Sequence, residues 1–95
     1  MALRSFHYVV SGIVQGVGFR MFLRRKADAH GIVGWTQNDA FGNVVGVAQG
    51  QEDALAKFKG YLCNGPSRAR VTDVRFTEDK VIPKLEFDRF DIRLA

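Results

Sequence analysis

Between residues 6 and 30 the hydrophobic period changes from two to about 3.6, and it changes inside a glycine-rich stretch. Phe6-His-Tyr-Val-Val-Ser-Gly-Ile13 alternates like a strand, with Phe6, Tyr8 and Val10 on one face and His7, Val9 and Ser11 on the other. From Phe19 the apolar positions (Phe19, Phe22, Leu23, Ala27) take helical spacing through His30, and Gly31 is a natural helix stop. Gly12, Gly16 and Gly18 lie between the two patterns. A strand that turns into a helix through glycines brings backbone N–H groups close to a ligand. The helix adds unsatisfied donors and the positive end of its dipole. Arg20 supplies a planar charged fork that suits phosphate oxygens. This segment therefore reads as a site for a small phosphate group.

The remaining elements fix the architecture. Ile32 to Gln37 reads as a second strand, with Val33 and Trp35 sharing a face, and Asn38-Asp-Ala-Phe-Gly42 as a turn. Asn43 to Gln49 completes a hairpin. Gln51-Glu-Asp-Ala opens a second helix with acids in its first turn, Leu55, Phe58 and Leu62 form its apolar stripe, and Asn64-Gly-Pro66 ends it. Arg70 to Thr77 is a fourth strand, with Val74 and Phe76 on one face. In a fifth, Glu86 to Leu94, Phe90, Ile92 and Leu94 alternate with Arg89, Asp91 and Arg93. Alternation of that kind means one buried and one wet sheet face, an antiparallel habit. The predicted class is α+β: a ferredoxin-like two-layer sandwich, βαββαβ plus a short last strand, with an antiparallel sheet and both helices on its apolar face. Residues 1–95 are expected to form a single domain.

Composition removes several alternatives. The 46% hydrophobic and 25% charged fractions are those of a globular chain, and the eight Phe supply bulk for one core. A net charge of +4 from 14 Lys and Arg spread along the chain is weak for a nucleic-acid binder, and Arg24-Arg25-Lys26 reads as a solvated helix face. No apolar run approaches a membrane span, and the start of the chain lacks a secretory pattern. With one cysteine, Cys63, the expected compartment is the cytoplasm and the expected state a monomer. His7, His30 and Cys63 are single and lack metal-ligand spacing, so neither a metal nor a cofactor is expected. His30 reads as a helix-end residue, and Ser11 and Ser67 lack partners for nucleophilic catalysis. The glycine loop is not a Walker motif, since no Gly-Lys-Ser/Thr follows, and Met21 stands where a dinucleotide fingerprint needs its third glycine.

Two motifs carry a family resemblance. Gly12-x-Val14-Gln15-Gly16-Val17-x-Phe19-Arg20 resembles the signature of the acylphosphatases. A second stretch is similar to theirs at the right distance: Gly31-Ile-Val-Gly34-Trp35-Thr-Gln-Asn38, then Gly42-x-Val44-x-Gly46-x-x-Gln49-Gly50. Phe90-Asp-Ile-Arg93 resembles the family's last strand, while Thr36 and Ala40-Phe41 depart from its usual pattern. The resemblance implies hydrolysis of small acyl phosphates without a metal. It implies that Arg20 and the amides of Gln15, Gly16, Val17, Gly18 and Phe19 hold the phosphate, so that inorganic phosphate or a similar anion can bind there. It implies that Asn38, on its own an ordinary turn residue, places the attacking water; loop and Asn38 must then share one phosphate and one water. Nothing in the sequence marks a pocket for the acyl half.

Two rival readings are weaker. An RNA-binding module shares the element order, and Gln15 to Phe22 meets four of the seven specified positions of its motif. That motif must lie on a strand exposing stacking aromatics, whereas here it runs into a helix and lacks the aromatic at Val17. Acylphosphatase-like domains also open larger proteins that handle carbamoyl phosphate; a chain of 95 residues is expected to act alone instead.

Overall fold

A computed structural model of the chain describes residues 2–94. The elements are β1 (Leu3–Ile13), α1 (Phe19–His30), β2 (Val33–Asn38), β3 (Val44–Gln51), α2 (Glu52–Asn64), β4 (Arg70–Ile82) and β5 (Phe90–Arg93). The strands form one sheet in the order β4-β1-β3-β2-β5. Both helices cover the same face. Phe6, Tyr8 and Val10 of β1 share one cluster with Phe19, Leu23 and Ala27 of α1 and Leu55, Phe58 and Leu62 of α2. Each of the Val, Leu and Phe side chains among them contributes about 1.5–3 kcal/mol when fully buried. Edge-on aromatic pairs link Phe6 to Tyr8, Tyr8 to Phe58 and Phe58 to Phe90, running the core across the sheet.

The ferredoxin-like plan is as expected, with one correction: the sheet is mixed. Pairings β1–β3, β1–β4 and β2–β3 are antiparallel, but β2–β5 is parallel, with Gly34 opposite Phe90 and Thr36 opposite Ile92. The cause lies in the chain path. β4 ends beside the start of β1, where Ile82 pairs with Leu3. Residues 83–89 cross that same end of the sheet, so β5 enters beside the start of β2 and must run with it. Gln49 pins the crossing: its Oε1 accepts the Glu86 N–H at 2.8 Å, and its Nε2 donates to Glu86 Oε1 at 2.6 Å and to Ser5 Oγ at 3.2 Å. The Gly34 N–H donates to the Arg89 carbonyl at 3.0 Å.

Other boundaries also differ. β1 begins at Leu3, β4 runs on to Ile82, and β5 is confined to Phe90–Arg93. Val33 and Trp35 do share a face, but it is the open one; Gly34 and Thr36 are the buried residues of β2. The Arg93 guanidinium covers the Trp35 ring there, 4.3 Å from its centroid.

Candidate active site

The loop between β1 and α1 is shaped by its glycines. Gly16 and Gly18 adopt φ of 74° and 78°, and a Cβ at either would meet nothing within 4 Å. Backbone conformation, not lack of space, requires glycine there. Gly18 caps α1 without any side-chain hydrogen bond. The Phe22 N–H closes the first turn onto the Gly18 carbonyl at 3.0 Å, so the N–H groups of Phe19, Arg20 and Met21 have no acceptor within the helix. α2 carries Glu52 and Asp53 in its first turn, whereas the first turn of α1 carries no acid. The positive end of the α1 dipole is thus left for an outside anion. Among the described residues no carboxylate pairs with the half-buried Arg20.

Asn38 is the last residue of β2. It keeps the period-two register of Gly34 and Thr36, so it lies on the helix-covered side of the sheet. Its Oδ1 is buried and has no hydrogen-bond partner. The turn that follows is built on Asp39, whose Oδ1 accepts the N–H groups of Phe41 at 2.8 Å and Asn43 at 2.9 Å. Burial acts to raise the Asp39 pKa, but the hydrogen bonds from Asn43 and Phe41 outweigh it and hold the carboxyl below its ordinary value.

Register explains how loop and asparagine meet. Val44 of β3 has Val10 of β1 on one side and Asn38 on the other. β1 and β2 are each antiparallel to β3, so they run together and end at the same edge, about 10 Å apart at roughly 4.8 Å per strand spacing. The glycine loop spans that gap. Gly16, Gly18, Phe19, Arg20 and Asn38 line one cleft of about 220 Å³. Gln15 and Val17, also expected at the site, do not line it with their side chains: Val17 packs on the core, and Gln15 reaches across to the β2–β3 turn. Val14, Met21, Ile92 and Leu94 complete the cleft and were missed by the sequence reasoning. Alternation placed Ile92 and Leu94 on one face, but no signal named β2 as their neighbour.

The other titratable candidates lie elsewhere. His30 Nε2 contacts the Tyr61 hydroxyl at 3.0 Å, and His7 Nδ1 lies 3.2 Å from Glu78. Among the described residues no three His, Cys, Asp or Glu side chains are grouped to hold a metal ion, and no helix is long and apolar enough to cross a membrane.

The acylphosphatase family model matches residues 6–92. The chain is 41% identical over 93 residues to human acylphosphatase-2, covering 97% of this chain and 94% of the relative. Its fold superposes on an acylphosphatase from Coxiella burnetii with a TM-score of 0.86 and 34% identity, covering 97% of this chain and 94% of that one. For an acylphosphatase from Bacillus subtilis the values are 0.84 and 36%, over 95% of this chain and 98% of that one. A family model that spans residues 6–92, with relatives at about 40% identity over nearly the whole chain, makes the chain a member of the acylphosphatase family, enzymes that hydrolyse acyl phosphates.

Proposed function

We propose that this acylphosphatase acts on small acyl phosphates, releasing carboxylate and inorganic phosphate, through the loop amides of residues 15–19, Arg20 and Asn38. The leaving group is a carboxylate whose acid has a pKa of about 4.3, so it departs as an anion at neutral pH and needs no general acid. The tasks left are to hold the phosphoryl group, meet its charge and aim a water in line. The loop amides and Arg20 meet charge on the equatorial oxygens with fixed dipoles and a planar fork. Asn38 Oδ1 accepts a hydrogen bond from the attacking water and orients it.

One observation carries this reading: Asn38, whose Oδ1 is buried and unpartnered, lines the same cleft as Arg20. A buried acceptor without a partner costs about 1–3 kcal/mol, a cost that a bound water removes. No step calls for a metal. Product phosphate binds the same groups. The apolar stripes of both helices are covered within one chain, which supports a monomer, and the single exposed thiol Cys63 suits the cytoplasm. The test is hydrolysis of benzoyl phosphate in excess EDTA by the wild type and by Arg20→Gln. Turnover that survives chelation and is lost in the variant is expected. Inactivation by EDTA would overturn the metal-free mechanism, and near-normal turnover by Arg20→Gln would overturn the site.

A further inference from the structure

Burial gives the cleft a floor and a mouth. Val14 and Phe19 are 1% and 2% exposed and the Asn38 Oδ1 is buried, whereas Met21 is 44% and Leu94 85% exposed. In-line displacement places the attacking and leaving oxygens on opposite sides of phosphorus. With the water held on the floor by Asn38, the leaving carboxylate must point to the mouth. There the lining is apolar: Met21 from the first turn of α1, and Leu94 just past β5, beside Ile92. Among the described residues Arg20 is the one charged residue of the lining, and the phosphoryl group occupies it. A second anionic group on the acyl half would find no cationic partner among the described lining residues of the mouth. Among the described residues six large hydrophobic side chains are exposed, and two of them, Met21 and Leu94, stand on this rim.

Resting on the active-site reading above, we infer that Met21 and Leu94 form an acyl subsite, which selects acyl phosphates with an uncharged aryl or alkyl carboxyl half over those bearing a second anion. An aryl ring lies against both side chains, a methyl group reaches neither fully, and a terminal carboxylate loses water there without gaining a counter-charge.

The test compares kcat/KM for benzoyl, acetyl and succinyl phosphate in the wild type, Met21→Gln, Leu94→Gln and the double variant. Ratios between substrates within one preparation cancel any inactive fraction. The wild type is expected to rank benzoyl first and succinyl last. The benzoyl-to-acetyl ratio should fall about tenfold in the double variant, the low end of what an apolar pocket discriminates, since this one is open. A ratio within twofold of wild type, or a wild type that prefers succinyl phosphate, would overturn the subsite while leaving the site reading intact. Arg20→Gln separates the two: it should depress all three substrates alike. A folded wild type that hydrolyses none of them would overturn the site reading and the subsite together.

Discussion

The Gln15 side chain clasps the turn that begins at Asp39: its Nε2 donates to the main-chain carbonyls of Asp39 and Asn43, both at 3.0 Å. A residue of the glycine loop thereby fixes the turn directly after Asn38. Gln15→Met keeps the length but loses both donors. The variant should lose turnover by about 10- to 100-fold through small displacement of Asn38, to which the proposed mechanism gives the attacking water. It should also lose about 1–3 kcal/mol of stability from carbonyls left unpaired. Steady-state kinetics and urea unfolding on one preparation check this. A stability loss with unchanged kcat would make Gln15 a purely structural clasp.

On the proposed mechanism Arg20 and Asn38 should separate in kinetics, because one would hold the phosphoryl group throughout and the other would act on the water. Arg20→Gln is expected to raise KM and lower kcat together. Arg20→Lys should do little better, since an ammonium lacks the planar fork. Asn38→Ala is expected to lower kcat by about 10²–10³ with KM much less changed, as befits a group acting mainly in the transition state. Near-normal kcat in Asn38→Ala would remove it from the mechanism.

Asp39 makes the β2–β3 turn acid-sensitive. Its native pKa is lowered, so as pH falls the unfolded chain binds the proton first and stability declines. The contribution is complete above the ordinary aspartate value of about 3.9 and is lost as pH falls through the lower native value. Asp79 shifts the same way beside Lys59 and Arg4, so the turn must be isolated by difference. Wild type minus Asp39→Asn, measured by denaturant unfolding from pH 7 to pH 2, should be a plateau above about pH 5 that shrinks below pH 4. A difference independent of pH would mean that the carboxylate charge is irrelevant to the turn.

What was legible in the sequence was local. Gly31 ends α1, the Leu55–Phe58–Leu62 stripe is buried, and Phe6, Tyr8 and Val10 face the core because period and stop signals act within a few residues. The loop glycines, Arg20 and Asn38 were legible as motif residues, and their meeting on one cleft depends on register across β3. The extension of β4 beyond Thr77 was hidden by the charged run Glu78-Asp79-Lys80, which has no apolar alternation. There the edge strand carries one extra residue between the Ser5–Lys80 and His7–Thr77 pairs, and Glu78 takes a φ of 51°. A bulge of this kind tolerates charge because it lies on the sheet edge. The parallel β5 was hidden because alternation reports which face is buried and never which strand lies alongside. Its placement depends on the long-range clasp between Gln49 and Glu86.

Gly46 offers the sharpest test of packing beneath the site. It pairs with Tyr8 on one side and Thr36 on the other, in the central strand. The Tyr8 ring lies across it, and the phenol hydroxyl donates to the Trp35 carbonyl at 3.2 Å. A Cβ on Gly46 would overlap both the Tyr8 hydroxyl and that carbonyl. Tyr8 is fully buried, and burial pushes its pKa well above the ordinary value, so the hydroxyl stays protonated and cannot retreat to water. Gly46→Ala should therefore cost about 3 kcal/mol, the upper end for overpacking. Tyr8→Phe alone should cost about 1 kcal/mol for the lost hydrogen bond. In the double variant the missing hydroxyl relieves part of the overlap, so the combined loss should fall short of the sum by at least about 0.5 kcal/mol, the size expected for residues in contact. Strict additivity in urea unfolding would show that the Tyr8 hydroxyl does not share space with residue 46.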